Sequence, residues 1–315
     1  MNCARLMAGV FLMLMFLGGC AAKQTQALLE HQPEGLATKA SAEDVPFFAQ
    51  TDYQCGPAAM AMMLNWAGVE VSPAQLAPKL FIPGKKGTLQ IELMAVPRQF
   101  GRLAYPLAPQ LTDILREISA GHPVLVFQNL ALSWYPTWHY AVVTRYDLEA
   151  ETITLHSGLE AEHTIDMSVF EHTWIRAGSW SMLVLPPGLL PATAKEQRYL
   201  QAAVALETSG QHQAAVINYE VALARWPDSF TARMGQGNSY YALGQLDRAG
   251  EAFYRATVEH PDAAAAFNNL AQVYLEQHRL DEAGKAIRQA IRLDDESPVY
   301  QETQAAIAKA SKKKP

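Results

Sequence analysis

Gln50-Thr51-Asp52-Tyr53-Gln54-Cys55-Gly56-Pro57-Ala58-Ala59-Met60-Ala61-Met62-Met63 decides the reading of the first half of the chain. A polar run ends at a cysteine, and an apolar helix begins there. Residues Cys55 to Trp66 are expected to form a helix with Ala58, Ala59, Met62 and Met63 among its buried residues. Pro57 suits an early helical position, where its missing N–H is not needed. A thiol at a helix N-terminus meets free N–H groups and the positive end of the dipole, and both favour the thiolate. Gly56 keeps the space around the sulfur open. Gln50, five residues upstream of Cys55, can donate its amide to a developing oxyanion alongside the Cys55 N–H. Gln54 is the competing donor, but its adjacency to Cys55 points it elsewhere. The alternative is a buried structural cysteine.

Cys55 is the one usable thiol among the chain's 3 cysteines. Cys3 lies beside an apolar run, Leu6 to Leu17, that follows the single charge Arg5. This run has the shape of a secretory signal and is too short to span a membrane. Leu17-Gly18-Gly19-Cys20 then forms a lipid-attachment pattern. Residues 1–19 therefore read as a lipoprotein signal peptide and Cys20 as a lipidated N-terminus, anchored to a membrane without crossing it. The alternative is an ordinary signal with an incidental cysteine. Ala21 and Ala22 supply no acidic residue after Cys20, which resembles outer-membrane sorting. The expected location is the cell envelope, facing the periplasm if the cell is Gram-negative. The net charge of −6 becomes −7 without Arg5. A mildly acidic chain with no basic stripe speaks against nucleic acid as a partner. Lys312-Lys313-Lys314 reads as a solvated end. No Cys/His spacing reads as structural zinc, and no cofactor is expected.

The chain is long enough for about two domains. Residues 20–43 are polar and alanine-rich and read as the lipidated end and a tether. Pro186-Pro187-Gly188, followed by Pro191, marks a second boundary. Beyond it the chain repeats at 34 residues, the distance from Pro227 to Pro261. Gly237, Tyr240, Gly244, Ala249, Phe253 and Ala256 match Ala203, Leu206, Gly210, Ala215, Tyr219 and Ala222 one period back. One period forward they match Ala271, Tyr274, His278, Ala283, Ile287 and Ala290. Small residues fall where two helices cross, and large apolar ones fill between them. This pattern closely resembles tetratricopeptide (TPR) repeats, three of them, within an all-α solenoid over 194–311 that ends in a capping helix. His278 stands where the other repeats have a turn glycine. Such arrays bind proteins, and Asn238, Asn269 and Gln272 are expected on the inner face. The alternative for these three is a solvated polar role.

Residues 44–188 mix helices and strands. Helices are expected over Cys55–Trp66, Ser72–Leu80, Thr88–Phe100 and Leu111–Ala120, with a helical turn over Met167–Thr173. Strands are expected over Pro123–Asn129, His139–Tyr146, Thr152–Ser157 and Ser179–Leu185. Helix first and sheet later, with the nucleophile at the first helix's start, is a papain-like α+β layout. His139 opens an apolar strand and is the preferred base for Cys55. His122 reads as a surface turn residue. His163 and His172 lie in later polar segments with no partner signal. Pairing Tyr146 near Ala150 across the hairpin puts about Ser157 opposite His139, with His156 and Gly158 within register error. Ser157 can accept a hydrogen bond from the ring but brings no charge. Asp147 falls at the far end of the hairpin.

Three motifs carry a resemblance over nearly all of this domain. They are Val45-Pro46 with Gln50 and Cys55-Gly56-Pro57-Ala58-Ala59, then Gly121-His122-Pro123-Val124-Leu125-Val126, then His139-Tyr140-Ala141-Val142-Val143 with Tyr146-Asp147. Together they resemble the papain-like cysteine peptidases of the bacteriocin-leader-processing, double-glycine type. The resemblance implies a catalytic pair of Cys55 and His139, with Gln50 in the oxyanion hole. It also implies an Asp or Asn orienting the histidine, but Leu155-His156-Ser157-Gly158 offers Ser157 instead. The expectation is an envelope lipoprotein that cleaves a peptide or protein. Trp134, Tyr135 and Trp138, with Gly56, would line the substrate groove, and the repeats would recruit the substrate or a protein partner. The alternatives are a non-catalytic peptide-binding adaptor and acyl transfer on the same thiol.

Overall fold

The computed structural model describes residues 22–50, 54–82, 84 and 87–312. The signal, Cys3 and the lipid-attachment pattern at Cys20 lie outside the described residues. Two compact units emerge. One comprises the chain to Trp66, Ser72–Gly87 and Pro106–Met182; the other comprises Ala67–Val71, Thr88–Tyr105 and Leu183 onward.

The α+β part of the chain is built on an antiparallel sheet. Its strands are β1 (Lys39–Ser41), β2 (Leu103–Pro106), β3 (Val124–Asn129), β4 (Trp138–Asp147), β5 (Thr152–Ser157), β6 (Glu160–Asp166) and β7 (Ser181–Leu185). The order is β2-β7-β3-β4-β5-β6, with β1 added beside β4. Ala141, Val142, Val143, Leu125 and Val126 are fully buried, as β-branched and small apolar residues of central strands should be. β6 went unforeseen. Its residues are mostly exposed, and charged side chains suit an edge strand that must not pair further.

Helices α1 (Lys23–Glu30), α2 (Cys55–Trp66), α3 (Pro73–Leu80), α4 (Gln90–Gln99), α5 (Leu111–Ser119) and α6 (Met167–Ile175) complete the α+β part. α2 is buried from Gly56 through Leu64, which explains its lack of an amphipathic stripe. It packs on β3 and β4. α3 starts with a capping box, Ser72 and Gln75 each satisfying the other's backbone N–H, with Pro73 next.

The expected tether over 20–43 is a correction, because the chain folds from Lys23 onward. The Glu171 carboxylate, fully buried on α6, accepts the N–H groups of Gln24 (2.9 Å) and Thr25 (2.6 Å). A carboxylate at a helix N-terminus satisfies free donors and opposes the dipole. The Gln24 side chain donates to Pro109 O and accepts from Leu111 N. Leu28 is buried, and β1 pairs Lys39–Ser41 with Arg145–Asp147. A short polar helix gives little sequence signal when one distant carboxylate fixes it.

The second unit holds three helical pairs, α7/α8 (Glu196–Thr208, His212–Arg225), α9/α10 (Phe230–Ala242, Leu246–Glu259) and α11/α12 (Ala264–Glu276, Leu280–Leu293). α13 (Pro298–Ser311) follows. The small positions of the repeat are close crossings. A Cβ on Gly237 would lie 2.5 Å from the Phe253 ring. The intra-repeat turns use left-handed backbone at Gly210 (φ 78), Gly244 (φ 71) and His278 (φ 61). Asn238 donates to Glu207, Asn269 to Asn238 and Gln272 to Thr303, forming a polar ladder along the first helices of successive repeats. Residues Thr88–Tyr105, which hold α4 and most of the unforeseen strand β2 and lie inside the expected 44–188 domain, group with this unit. Gly101 abuts Gln211 and Ala214, and the Tyr105 hydroxyl donates to Thr193 O and accepts Lys195 N–H. The Pro186-Pro187-Gly188 boundary therefore does not mark where packing divides.

Candidate active site

Cys55 is the first residue of α2. Its sulfur receives the backbone N–H groups of Tyr140, Gly56 and Cys55 itself, which favour the thiolate. Burial acts more strongly and pushes the thiol up. The Gln54 side chain is exposed, while Gln50 is buried at 8% exposure. Gln50 is set by the strand end beside it, its N–H donating to Gly158 O (2.9 Å). Its Nε2 donates to Tyr140 O at 3.3 Å. An amide carries two N–H donors, so one remains for an oxyanion. Cys55 and Gln50 thus converge on the two sides of one residue, Tyr140, whose neighbour in β4 is His139.

His139 Nε2 meets Ser157 Oγ at 2.8 Å. This contact arises from a register other than the expected one. Tyr146 pairs with Ile153, three positions beyond Ala150, and nearer the site Val142 pairs with His156. The hairpin turn is longer, closing through Glu151 in left-handed backbone (φ 55), and a bulge follows Val143. Ser157 therefore reaches His139 on the diagonal, within range for cross-strand neighbours. His156 turns elsewhere. Its ring bonds Ala161 O and Val45 O and sits edge-on to Phe47, fixing the segment that leads to Gln50.

With Nε2 committed to Ser157, Nδ1 is the nitrogen left to exchange a proton with a thiol. Among the described residues, no hydrogen bond yet joins Cys55 to His139; unliganded catalytic pairs often tighten only with substrate. Burial holds the His139 imidazole down to about 4, and the charge of nearby His163 pushes the same way. Burial thus favours the neutral form of both the Cys55 thiol and the His139 imidazole.

The other histidines have separate duties. His122 is buried and pairs through Nδ1 with the buried Glu117 carboxylate at 2.8 Å, so it is no surface turn residue. His172 binds Ser168 O. His163 bonds Glu160 at 2.7 Å and lies close enough to His139 to affect it, which its polar segment did not signal. Among the described residues, no group of three or more His, Cys, Asp or Glu is placed to hold a metal, and no helix is long and apolar enough to cross a membrane.

The β3–β4 connection, residues 130–137, is held by buried Asn129. Its Oδ1 accepts the N–H groups of Ala131 and Thr137, and its Nδ2 donates to Leu132 O. Trp134 is 80% and Trp138 52% exposed, with Tyr135 between them also open. Trp138 stacks on Phe127 at 5.2 Å. Trp138 immediately precedes His139 in β4, so the two side chains leave opposite faces of the strand. Gly56, the second residue of α2, is buried.

Residues 42–182 match the model of the Peptidase_C39 like family. Residues 200–262 and 240–307 match two tetratricopeptide repeat models. Among solved structures, the first TPR of Spaghetti (RPAP3) bound to an HSP90 peptide is 14% identical with a TM-score of 0.36, over 38% of this chain and 94% of that one. The Sgt2 TPR domain from Aspergillus fumigatus is 19% identical with a TM-score of 0.37, over 38% and 81%. The Yersinia enterocolitica secretion chaperone SycD, in complex with a YopD peptide, is 18% identical with a TM-score of 0.34, over 37% and 88%. No curated protein matches the chain.

Proposed function

The chain carries a Peptidase_C39-like domain followed by tetratricopeptide repeats, and from that premise we propose that it is a lipid-anchored cysteine peptidase of the cell envelope. The observation that supports this most is the convergence of Cys55 and Gln50 on the Tyr140 peptide, beside a histidine held through Nε2. His139 Nδ1 takes the Cys55 proton as the sulfur attacks a peptide carbonyl. The Cys55 N–H and the second N–H of Gln50 hold the oxyanion. The tetrahedral adduct collapses, the C–N bond breaks, and His139 returns the proton to the leaving amine. Water, deprotonated by the same imidazole, then hydrolyses the thioester and frees Cys55. Trp134 and Trp138 line the approach for substrate. The repeats recruit the substrate or a protein partner. Lipidation at Cys20 anchors the chain, at the outer membrane facing the periplasm in a Gram-negative cell.

A second reading has its own support. His139 rests on an uncharged Ser157, and burial favours the neutral form of both members of the pair. A peptide-binding adaptor that does not cut would tolerate both.

The two readings separate on a peptide acyl-electrophile probe read by intact mass between pH 5 and 9. Fast labelling near pH 7 that is lost in both Cys55→Ala and His139→Ala supports the peptidase. Labelling no faster than an ordinary thiol, rising only above about pH 8.5, rejects it in favour of the adaptor.

A further inference from the structure

The site as built gives His139 no carboxylate, yet an imidazolium beside a thiolate needs one nearby when it is buried. The strand register supplies a candidate. Val143 pairs with Leu155, and Leu155 with His163. Directly paired residues point to one face, and alternate residues along a strand share it. His139, Ser157 and His163 therefore lie on one face of three adjacent strands. Beyond Leu155 the β5–β6 ladder shifts by one residue, and Ser157 pairs with Glu160 across a turn through Gly158 (φ 60). The shift brings Glu160 onto the same face, where its Oε2 meets His163 Nδ1 at 2.7 Å. Its Oε1 has no hydrogen-bond partner among the described residues.

We propose that Glu160 is the acidic positioning residue of this site, acting on His139 across Ser157. It deepens the peptidase reading and rests on His139 working with Cys55. Ser157 Oγ can accept the His139 Nε2–H and give its own proton onward, and Glu160, its partner across the ladder, is the carboxylate assigned to accept it, turning to Ser157 from a side chain that is 66% exposed and bonded to His163. Its negative charge stabilises the imidazolium through space as well. His163 holds Glu160 in place and, once protonated, offsets its charge. The groups beside His139 on the neighbouring strands carry no carboxylate: Gln128 paired with it from β3, and Ser157 from β5. Asp147 and Glu162 are tied to Lys39 and Arg145. Burial and the charge of His163 both disfavour the imidazolium, which is the deficit a carboxylate in this row offsets.

The test titrates the His139 ring by NMR in the purified chain, assigned with His139→Gln, and follows Cys55 alkylation by iodoacetamide over pH 5–9. Glu160→Gln is expected to lower the His139 midpoint by roughly 0.5–1 and slow alkylation at pH 7 about 3- to 10-fold, the size of one charge a strand away near a surface. Glu160→Asp should restore most of both. His163→Gln should move the midpoint the other way, which a merely structural role would not do. An unchanged midpoint and rate in Glu160→Gln, or shifts of the same sign in Glu160→Gln and His163→Gln, overturn the assignment. An inert wild-type Cys55 with a midpoint that still responds to Glu160 rejects the peptidase reading and keeps this one. A reactive Cys55 with an unresponsive midpoint does the reverse.

Discussion

Ser157→Asp puts a full charge where a neutral hydroxyl now meets His139 Nε2 at 2.8 Å. At a separation of about 4 Å and an effective dielectric near 20, the attraction is about 4 kcal/mol. Burying the new carboxylate returns part of that. A carboxylate beside a cation typically shifts the pKa by about 1–3, which moves His139 from about 4 to about 5–7. The population of the imidazolium–thiolate pair rises about tenfold for each unit gained. Alkylation of Cys55 at pH 7 should therefore accelerate at least about tenfold, with the rate's acid limb moving upward in pH. Ser157→Asn, which fills the same place without charge, is the control and should change the rate much less. The assay is the second-order rate with iodoacetamide across pH 5–9, with circular dichroism to show that each variant is folded. A folded Ser157→Asp whose rate stays within about twofold of wild type would refute the electrostatic account of this site.

Three further outcomes follow from the same structure. His139 titrates near 4 when folded and near 6.5 when unfolded. The unfolded chain thus binds more protons between those values, and stability falls as pH drops from about 6.5 to about 4, by about 3 kcal/mol. His139→Gln should flatten that slope in urea unfolding at pH 7, 5.5 and 4.5. Gly237→Ala drives a methyl to 2.5 Å from the Phe253 ring and should cost about 1–3 kcal/mol by the same method, with Phe253→Leu relieving part of it. His278→Gly removes left-handed strain at φ 61 and should stabilise the repeats by about 0.5–1 kcal/mol after the unfolded-state cost of glycine, whereas His278→Ala should not.

What the sequence made legible tracks how local each determinant is. Ser72, Pro73 and Gln75 cap α3 within four residues, and the expected helix ends at Leu80 as observed. The repeat register was readable because small and large residues recur at one spacing. The placement of Cys55 at the start of an apolar helix and of His139 in an apolar strand was readable from the residues around them. Ser157 was reached by an arithmetic whose turn was too short. It still meets His139 because a diagonal neighbour lies nearly as close as an opposite one. The misses are all non-local. α1 depends on Glu171, far along the chain. β6 is an edge strand of mostly exposed residues. The place of Glu160 beside His163 depends on a ladder shift after Leu155, which no composition reveals.

The Glu171 latch on α1 also fixes a distance. Only Ala21 and Ala22 stand between Cys20 and Lys23, the first residue of the docked helix. Extended chain spans about 3.5 Å per residue, so with Cys20 lipidated as proposed, the start of α1 stays within roughly 10 Å of the lipid. The chain then searches a surface rather than a volume. A substrate held in the same membrane would meet it at an effective concentration in the millimolar range, while a freely diffusing peptide would gain nothing. Glu171→Gln, by releasing α1, would lengthen that reach and erode the advantage for membrane-held substrates, without touching Cys55 or His139.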